Sequence, residues 1–567
     1  MKRIINGIAA SKGIVIAKAY KLEELNLDVK TVEYTTLENE KILIEDVFMK
    51  TIEQLEEIYK VALKKLGEEE ASVFEAHKAI VQDPELKAQV KQKIEESTPV
   101  AKALEEVTDS FVTMFESMDD EYFRARAADI KDVRKRLLAN ALGLTIPSLA
   151  EIKDQVIVIA EDLTPSETSQ LDTNFTLGFI TNIGGRTSHA AIMARSMEIP
   201  AVVGTGEIME VSSGDMIILN AITGEIIINP TNEDIDIANL ELQKFNEEKE
   251  MLLKYKESES ISKDGHHVEL VANIGTPNDL EGVIKNGAEG VGLYRTEFLY
   301  MDANELPSEE VQFDAYKKVL ETMGEKPVVV RTLDIGGDKE LPYLQFPEEM
   351  NPFLGYRAIR MCLDRDDIFR VQLRALLRAS VFGNLKIMFP MIATLEEFRS
   401  AKKIVIEEKE KLKSEGLNVS DDIEIGIMVE IPSTAIMADT FAKEVDFFSI
   451  GTNDLIQYTM ACDRMSEKVS YLYQPYNPAI LRLVKNVVDA ANKNNIWAGM
   501  CGEMASDPTA IKVLLGIGLH EFSMSASAIL SSRKLISELN KEEISDRIDE
   551  ILNFTTAEEV ENFLNNM

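Results

Sequence analysis

The spacing of apolar positions changes period along the chain, and the changes divide it. The opening stretch through Gly7, Ile8, Gly13, Ile14, Val15 and Ile16 alternates apolar and small residues between turn signals, which predicts strand and loop. From Leu37 to Leu142 the period lengthens: Ile52, Leu55, Ile58, Tyr59, Ala62 and Leu63 recur at helical spacing, as in an antiparallel helical bundle. Short apolar runs return at Val156–Ile159, Phe179–Ile180, Ala201–Val203, Ile217–Leu219 and Ile226–Ile228, so a compact α/β domain interrupted by a helical insertion is expected. A charged, helix-favouring segment between Asn232 and Lys263, carrying Leu240, Leu242, Phe245, Met251 and Leu252, reads as a connecting helix and short linker.

Beyond it, short apolar strands alternate with helix-length segments: Val268–Ala272, Gly290–Tyr294, Val328–Val330, Lys386–Phe389, Ile425–Val429, Phe447–Ile450, Ile496–Ala498 and Glu521–Met524. That is about eight βα units in roughly 300 residues, the size and rhythm of a (β/α)8 TIM barrel. The expected architecture is multidomain α/β. An α/β domain spans 1–24 and 146–230, a helical insertion 25–145, a linker helix 231–262 and a C-terminal barrel 263–567.

The 567 residues exceed one core and suit about two to four domains. No apolar run approaches the ~20 residues that span a bilayer, and Met1-Lys2-Arg3-Ile4 opens no signal-peptide pattern, so a cytoplasmic protein without membrane insertion is expected. A formal charge of -37 argues against nucleic-acid binding. It also repels any anionic substrate, so an anion site would need a local arginine cluster. The three cysteines, Cys362, Cys462 and Cys501, show neither disulfide nor zinc spacing.

Polar residues collect where the barrel strands end, the positions from which such barrels build active sites. Asn273 follows the first strand, Arg295 the second, Arg331 with Asp334 the third, Glu430 the fifth, Asn453 and Asp454 the sixth, and Cys501-Gly502-Glu503 the seventh. Arg295, Arg331, Arg357 and Arg464 can grip a phosphate and a carboxylate through forked hydrogen bonds. Glu430 and Asp454 offer hard oxygen ligands that suit Mg2+ better than zinc, or else they are structural ion-pair partners. Cys501 can give a proton to a carbanion-like carbon, or simply pack.

A second centre lies in the run Gly184-Gly185-Arg186-Thr187-Ser188-His189-Ala190-Ala191-Ile192-Met193-Ala194-Arg195, where an apolar strand turns into a helix. The glycines permit a sharp turn, and Thr187 or Ser188 can cap the helix, leaving backbone N–H groups beside the imidazole. Such a histidine could accept a phosphoryl group, or it could only pack at a helix start.

These runs, with Leu293-Tyr294-Arg295-Thr296-Glu297-Phe298, Arg331–Lys339, Asn351–Arg357, Gly451-Thr452-Asn453-Asp454-Leu455 and the cysteine segment, make the chain resemble the enzymes I of bacterial sugar phosphotransferase systems over essentially its full length. The histidine run alone is also similar to pyruvate phosphate dikinases and phosphoenolpyruvate synthases. Ala190-Ala191 departs from the hydroxyl-rich version of many enzymes I. The dikinases and synthases carry a large nucleotide-binding domain for which this chain is expected to have no room. The nitrogen-related enzymes I carry a sensory domain, and none is expected before Met1.

The resemblance implies that His189 is phosphorylated from phosphoenolpyruvate (PEP) and passes the group to a histidine of the phosphocarrier protein HPr, with the helical insertion, including Asp83 and Glu85, as docking surface. It implies that Arg295, Arg331, Arg464, Asn453 and Asp454 hold PEP, with Arg357 and Gly502 in support. Glu430 and Asp454 would hold Mg2+, Cys501 would protonate the product to pyruvate, and Thr168 would orient the His189 ring. A homodimer through the barrels and a swivelling histidine domain are further implications. The alternatives are a nucleotide-dependent dikinase or synthase and a PEP sensor without turnover.

Overall fold

The computed structural model describes the chain apart from residues 1, 24, 26, 66–67, 117–120, 147–148, 150–151, 169, 186–187, 198, 302, 304, 338–340, 342, 345, 465 and 467; residues 64–65, 68–70, 72, 116, 121–126, 128, 165, 189, 192 and 196 are described as backbone. The chain forms two compact units, Met1–Glu248 and Lys249–Met567. No helix among the described residues is long and apolar enough to cross a membrane.

The first unit holds an eight-stranded mixed sheet. Its strands are β1 (Arg3–Asn6), β2 (Ile8–Ser11), β3 (Ile14–Lys21), β4 (Val156–Ala160), β5 (Thr176–Thr181), β6 (Ala201–Val203), β7 (Met216–Asn220) and β8 (Glu225–Ile228), in the order β1-β8-β7-β3-β4-β5-β6-β2. β3, β4, β5 and β6 run parallel, while β7, β8, β1 and β2 pair antiparallel. Side chains alternate across a strand. Accordingly Val156 and Val158 join a core with Phe179, Ala190, Ala191 and Ala194, whereas Ile157 and Ile159 join a separate one with Ile180, Val202 and Leu219.

Between β3 and β4 the chain leaves the sheet for five helices: α1 (Leu37–Lys65), α2 (Glu68–Gln82), α3 (Pro84–Glu95), α4 (Val100–Glu116) and α5 (Glu121–Ala141). Their apolar stripes close over a core that includes Val47, Leu55, Phe74, Val90, Leu104 and Leu137. The sheet also carries α6 (Pro165–Thr168) and α7 (His189–Ser196), and α8 (Asn232–Leu253) follows it. Within the segment 231–262, expected as a connecting helix and short linker, the helix ends at Leu253. Residues beyond it are held on the barrel unit by the fully buried Arg533, which donates to the carbonyls of Tyr255 and Lys256 and to Ser260 Oγ.

In the second unit β9 (Glu269–Ile274), β10 (Val291–Arg295), β11 (Pro327–Arg331), β12 (Asn384–Phe389), β13 (Glu424–Val429), β14 (Phe447–Ile450), β15 (Trp497–Met500) and β16 (Glu521–Met524) close into an all-parallel barrel in sequence order. Strand faces turned outward pack on the helices, while Leu293, Val329, Met388, Met428, Phe447 and Cys501 form a separate apolar cluster with Trp497. Asn273 lies inside β9 rather than after it, because that strand runs on to Ile274.

The Phe447 and Trp497 rings stack at 4.3 Å, and a Cβ on Gly426 would sit 2.6 Å from the Phe447 ring atoms. Gly426→Ala should therefore overpack the interior by about 1–3 kcal/mol. Urea unfolding of the full chain should show an earlier midpoint for the transition assigned to the barrel, and an unchanged midpoint would remove this packing argument.

Candidate active site

The strand ends of the barrel open into a cavity of about 630 Å³. Arg295, Arg331, Asp334, Arg357, Glu430, Asn453, Asp454, Arg464, Cys501, Gly502 and Glu503, all singled out from the sequence, line it, whereas Asn273, the first of the strand-end residues, does not. Arg295 and Arg331 are the last residues of their strands, Glu430 follows β13 directly, and Asn453 and Asp454 lie in the first turn of the helix Thr452–Met460 after β14. Gly502 is required by space, since a Cβ there would meet Thr452 Oγ1 at 1.8 Å.

The four guanidiniums are not equivalent. Arg331 sits between Glu297 and Asp334, 2.9 Å from the latter. Arg357 pairs with Asp334 at 2.9 Å and with Asp454 at 3.4 Å, and donates to Tyr458 Oη at 3.3 Å. Burial alone would depress both; the carboxylates around them outweigh it and raise both. Arg295 and Arg464 have no carboxylate partner among the described residues. Burial and the neighbouring Arg331 lower the pKa of Arg295, as for a cation held near like charge without an anion. The cluster thus has a structural half, engaged by its own carboxylates, and an open half able to take an external anion.

Glu430 is buried and accepts the backbone N–H of Met391 at 2.6 Å. Burial, then Asp454 and Asp334, push its carboxyl up to about 8 against the pull of Arg331 and Arg357. Burial pushes the Cys501 thiol up to about 11, against Arg331 and Arg295, so it keeps its proton at neutral pH. Asn273 Nδ2 donates to the Cys501 carbonyl at 3.3 Å, and Ser523 Oγ donates to Asn273 Oδ1 at 2.5 Å. Asn453 Oδ1 accepts from the Glu503 N–H at 3.3 Å and from Tyr473 Oη at 3.4 Å.

Sequence reasoning did not single out Glu297, Tyr473 or Tyr458. Glu297 stands two residues after Arg295 in a run already noted, but its pairing with Arg331 across strands has no sequence signal. No group of three or more His, Cys, Asp or Glu side chains among the described residues is arranged to hold a metal unaided. Glu430 and Asp454 could therefore hold a cation only with ligands from water or substrate.

In the first unit His189 is the first residue of α7, beyond the end of β5. Ser188 caps that helix, its Oγ accepting from Ala191 N at 3.4 Å. Arg186, Thr187 and the His189 side chain lie outside the described residues. Ala190 and Ala191 are buried against the sheet, where a hydroxyl would need a partner. Thr168 ends α6, buried, donating to the Thr164 carbonyl at 3.1 Å, and α6 adjoins α7. On the bundle, Asp83 caps α3 by accepting from Glu85 N and Leu86 N, and the exposed Glu85 accepts from Gln89.

Three family models match: PEP-utilising enzyme, N-terminal, over residues 6–126; PEP-utilising enzyme, mobile domain, over 152–224; and PEP-utilising enzyme, PEP-binding domain, over 249–541. The chain is 58% identical to a phosphoenolpyruvate-protein phosphotransferase of Staphylococcus carnosus, over 99% of this chain and 98% of that protein. It is 58% identical to one of Bacillus subtilis over 99% of each chain, and 59% identical to one of Listeria monocytogenes over 99% of this chain and 98% of that protein.

Because Arg464 has no ion-pair partner among the described residues, its charge should be available to a ligand. Arg464→Ala should weaken binding of a phosphorylated carboxylate by about 1.5–3 kcal/mol, the scale of one charge-assisted contact. Calorimetry with PEP checks this, and unchanged affinity would contradict it.

Proposed function

The chain belongs to the phosphoenolpyruvate-protein phosphotransferases, and on that membership we propose that His189 receives the phosphoryl group of PEP and passes it to a histidine of the phosphocarrier HPr. The observation that carries the reading is that the open guanidiniums of Arg295 and Arg464 line the same cavity as a protonated, buried thiol.

PEP carries a phosphate and a carboxylate. Arg295, Arg331 and Arg464 hold these through forked, charge-assisted hydrogen bonds, with Asn453 and Asp454 at the rim and Arg357 keeping Asp334 and Asp454 in place. A neutral imidazole nitrogen of His189 attacks phosphorus as the bridging P–O bond breaks, and the arginines take up the charge on the enolate oxygen. The enolate carbon then takes the proton of Cys501, giving pyruvate, and the thiolate regains a proton from solvent. Thr168 orients the imidazole. The acceptor and the donor site belong to separate compact units, so transfer needs the His189 unit to swivel about the 231–262 segment.

Members of this family depend on a metal ion. The donor set here fits a hard divalent cation, and Mg2+ is the ion we propose. Arg295, Arg331, Arg357 and Arg464 share the cavity with Glu297, Asp334, Asp454 and Glu503, and with Glu430, whose raised carboxyl is mostly protonated at neutral pH, so a polyanionic substrate meets no net positive field from the protein alone. Glu430 and Asp454 would hold the ion, which when bound supplies positive charge to the phosphate and enolate oxygens. HPr docks on the bundle near Asp83 and Glu85. Dimerisation through the barrel unit and a cytoplasmic setting complete the proposal.

Incubation with labelled PEP and Mg2+, without nucleotide, should give an acid-labile phosphohistidine that is lost in His189→Ala. Label that appears only with ATP would favour the dikinase class, and bound but uncleaved PEP a sensor. In Cys501→Ala, PEP should still bind while pyruvate formation falls about a hundredfold or more. The raised thiol pKa adds a pH signature: a group protonated up to about 11 should sustain pyruvate formation past the ordinary thiol range, with the alkaline fall nearer 11 than 9. Wild-type turnover in Cys501→Ala at neutral pH would take the cysteine out of the mechanism.

A further inference from the structure

One polar cluster of the first unit has no role in the reaction as described. His77 on α2 is fully buried, packed edge-on against Phe74 with ring centroids 5.7 Å apart. Its Nε2 lies 3.2 Å from Asp129 Oδ1 and its Nδ1 lies 3.8 Å from Asp132 Oδ2, both carboxylates being on α5. The same Asp132 oxygen accepts the backbone N–H of Ser166, in α6, at 3.3 Å. The Asp132 carboxylate therefore ties α5 to the backbone of the short turn that ends in Thr168, while His77 is hydrogen-bonded to the same helix through Asp129 and stands beside Asp132 beyond hydrogen-bond distance.

The contact is reinforced from the same helix face. Asp129, Asp132 and Arg136 are spaced at i, i+3 and i+7, which places them along one side of α5. Lys135 donates to Glu167 Oε1 at 2.7 Å, and Glu167 Oε2 accepts from the Thr164 N–H at 3.0 Å. Arg136 is buried beside Asp132 and Glu167, which oppose the desolvation that lowers its pKa. A four-residue helix has almost no stability of its own, so its orientation is set by what holds its ends. Here the bundle holds them.

We propose that Asp132 and His77 are positioning residues for phosphoryl transfer: they lock α6, and with it Thr168, so that the acceptor histidine at the start of α7 keeps one ring orientation. The inference rests on the reading that His189 accepts the group and Thr168 orients it. Asp132 acts through the backbone of α6, and His77 acts by fixing α5 through Asp129, one turn before Asp132. α2 runs directly into the Asp83 cap of α3, so the same imidazole ties this lock to the face on which the phosphocarrier is proposed to dock.

The full-length chain tests this with labelled PEP and Mg2+ in single-turnover self-phosphorylation, together with 15N spectra of imidazole-labelled protein. Only five histidines are present, and His189→Ala identifies the signal of interest. Asp132→Ala and His77→Leu should slow self-labelling by at least about tenfold, as a sub-ångström misplacement does, with half-saturating PEP within about twofold of wild type. Both should move the His189 ring-nitrogen shifts toward a tautomer mixture. Asp132→Asn keeps an oxygen for the Ser166 N–H and should restore both rate and shifts. Should Asp132→Ala not fold, Ser166→Pro, which removes the N–H donor together with the hydroxyl, should give the same slowed rate, and Ser166→Ala, which removes the hydroxyl alone, should not.

Wild-type rate and wild-type His189 shifts in folded Asp132→Ala, Ser166→Pro or His77→Leu would overturn the positioning role while leaving His189 as acceptor. Slowing without any change in the His189 shifts would overturn it as well, because a loss of stability alone predicts that pattern. Absence of label in the wild-type chain would instead remove the functional reading beneath it.

Discussion

The barrel mouth is governed by one constraint: charges taken out of water must be matched where they stand. Asp334 meets this for two guanidiniums at once, Arg331 at the end of β11 and Arg357 beyond it, and Arg357 passes the pairing on to Asp454 after β14. Glu297 closes the other side of Arg331. The chain of pairs ties together strand ends far apart in sequence, and removing one member would strand a buried charge rather than merely lose a contact. Arg295 and Arg464 stand outside the chain of pairs. Their position next to it, rather than their residue type, leaves them open to an incoming anion.

That distinction separates what the sequence revealed from what it could not. Polar residues recurring just after apolar strands predicted the cavity lining, because a parallel barrel directs all its strand ends to one face and each such residue can be recognised locally. The histidine run was legible for the same reason, as a strand, glycines, a capping hydroxyl and a helix in order. Pairing is not local. Asp334 lies three residues from Arg331, but nothing local shows that Glu297 closes the other side of Arg331 or that Asp334 also holds Arg357, so four arginines looked like one uniform positive patch when two are held by their own carboxylates. Likewise nothing local shows that Arg533 clasps residues 255–260 from the far end of the chain. Asn273 moved inside its strand for a simpler reason: polar residues can occupy a barrel interior when paired there, as Asn273 is with Ser523 and the Cys501 carbonyl.

The same lack of locality hid the His77 cluster. A lone histidine on a helical stripe carries no sign of two carboxylates more than fifty residues later, and Asp132 reads as one more acid in a chain of strongly negative charge. Burial changes its meaning. In the interior an acceptor is held by a few donors and cannot turn to water, so Asp132 transmits position between elements that a surface aspartate would leave independent.

Burial acts in the opposite direction at Cys501, and there it is chemical rather than positional. An exposed thiolate would be the better nucleophile but a poor reserve of protons. Among Leu293, Met428 and Phe447 the neutral thiol is favoured, which suits the proton-donor role proposed for it. The thiolate left behind is unstable in that apolar setting, and the nearby guanidiniums of Arg331 and Arg295 limit the cost. The cavity thus combines an apolar lining that excludes charge with guanidiniums that present it. The two are compatible because Leu293 and Arg295 stand two residues apart on β10, the first in the apolar interior cluster with Cys501 and the second at the strand end.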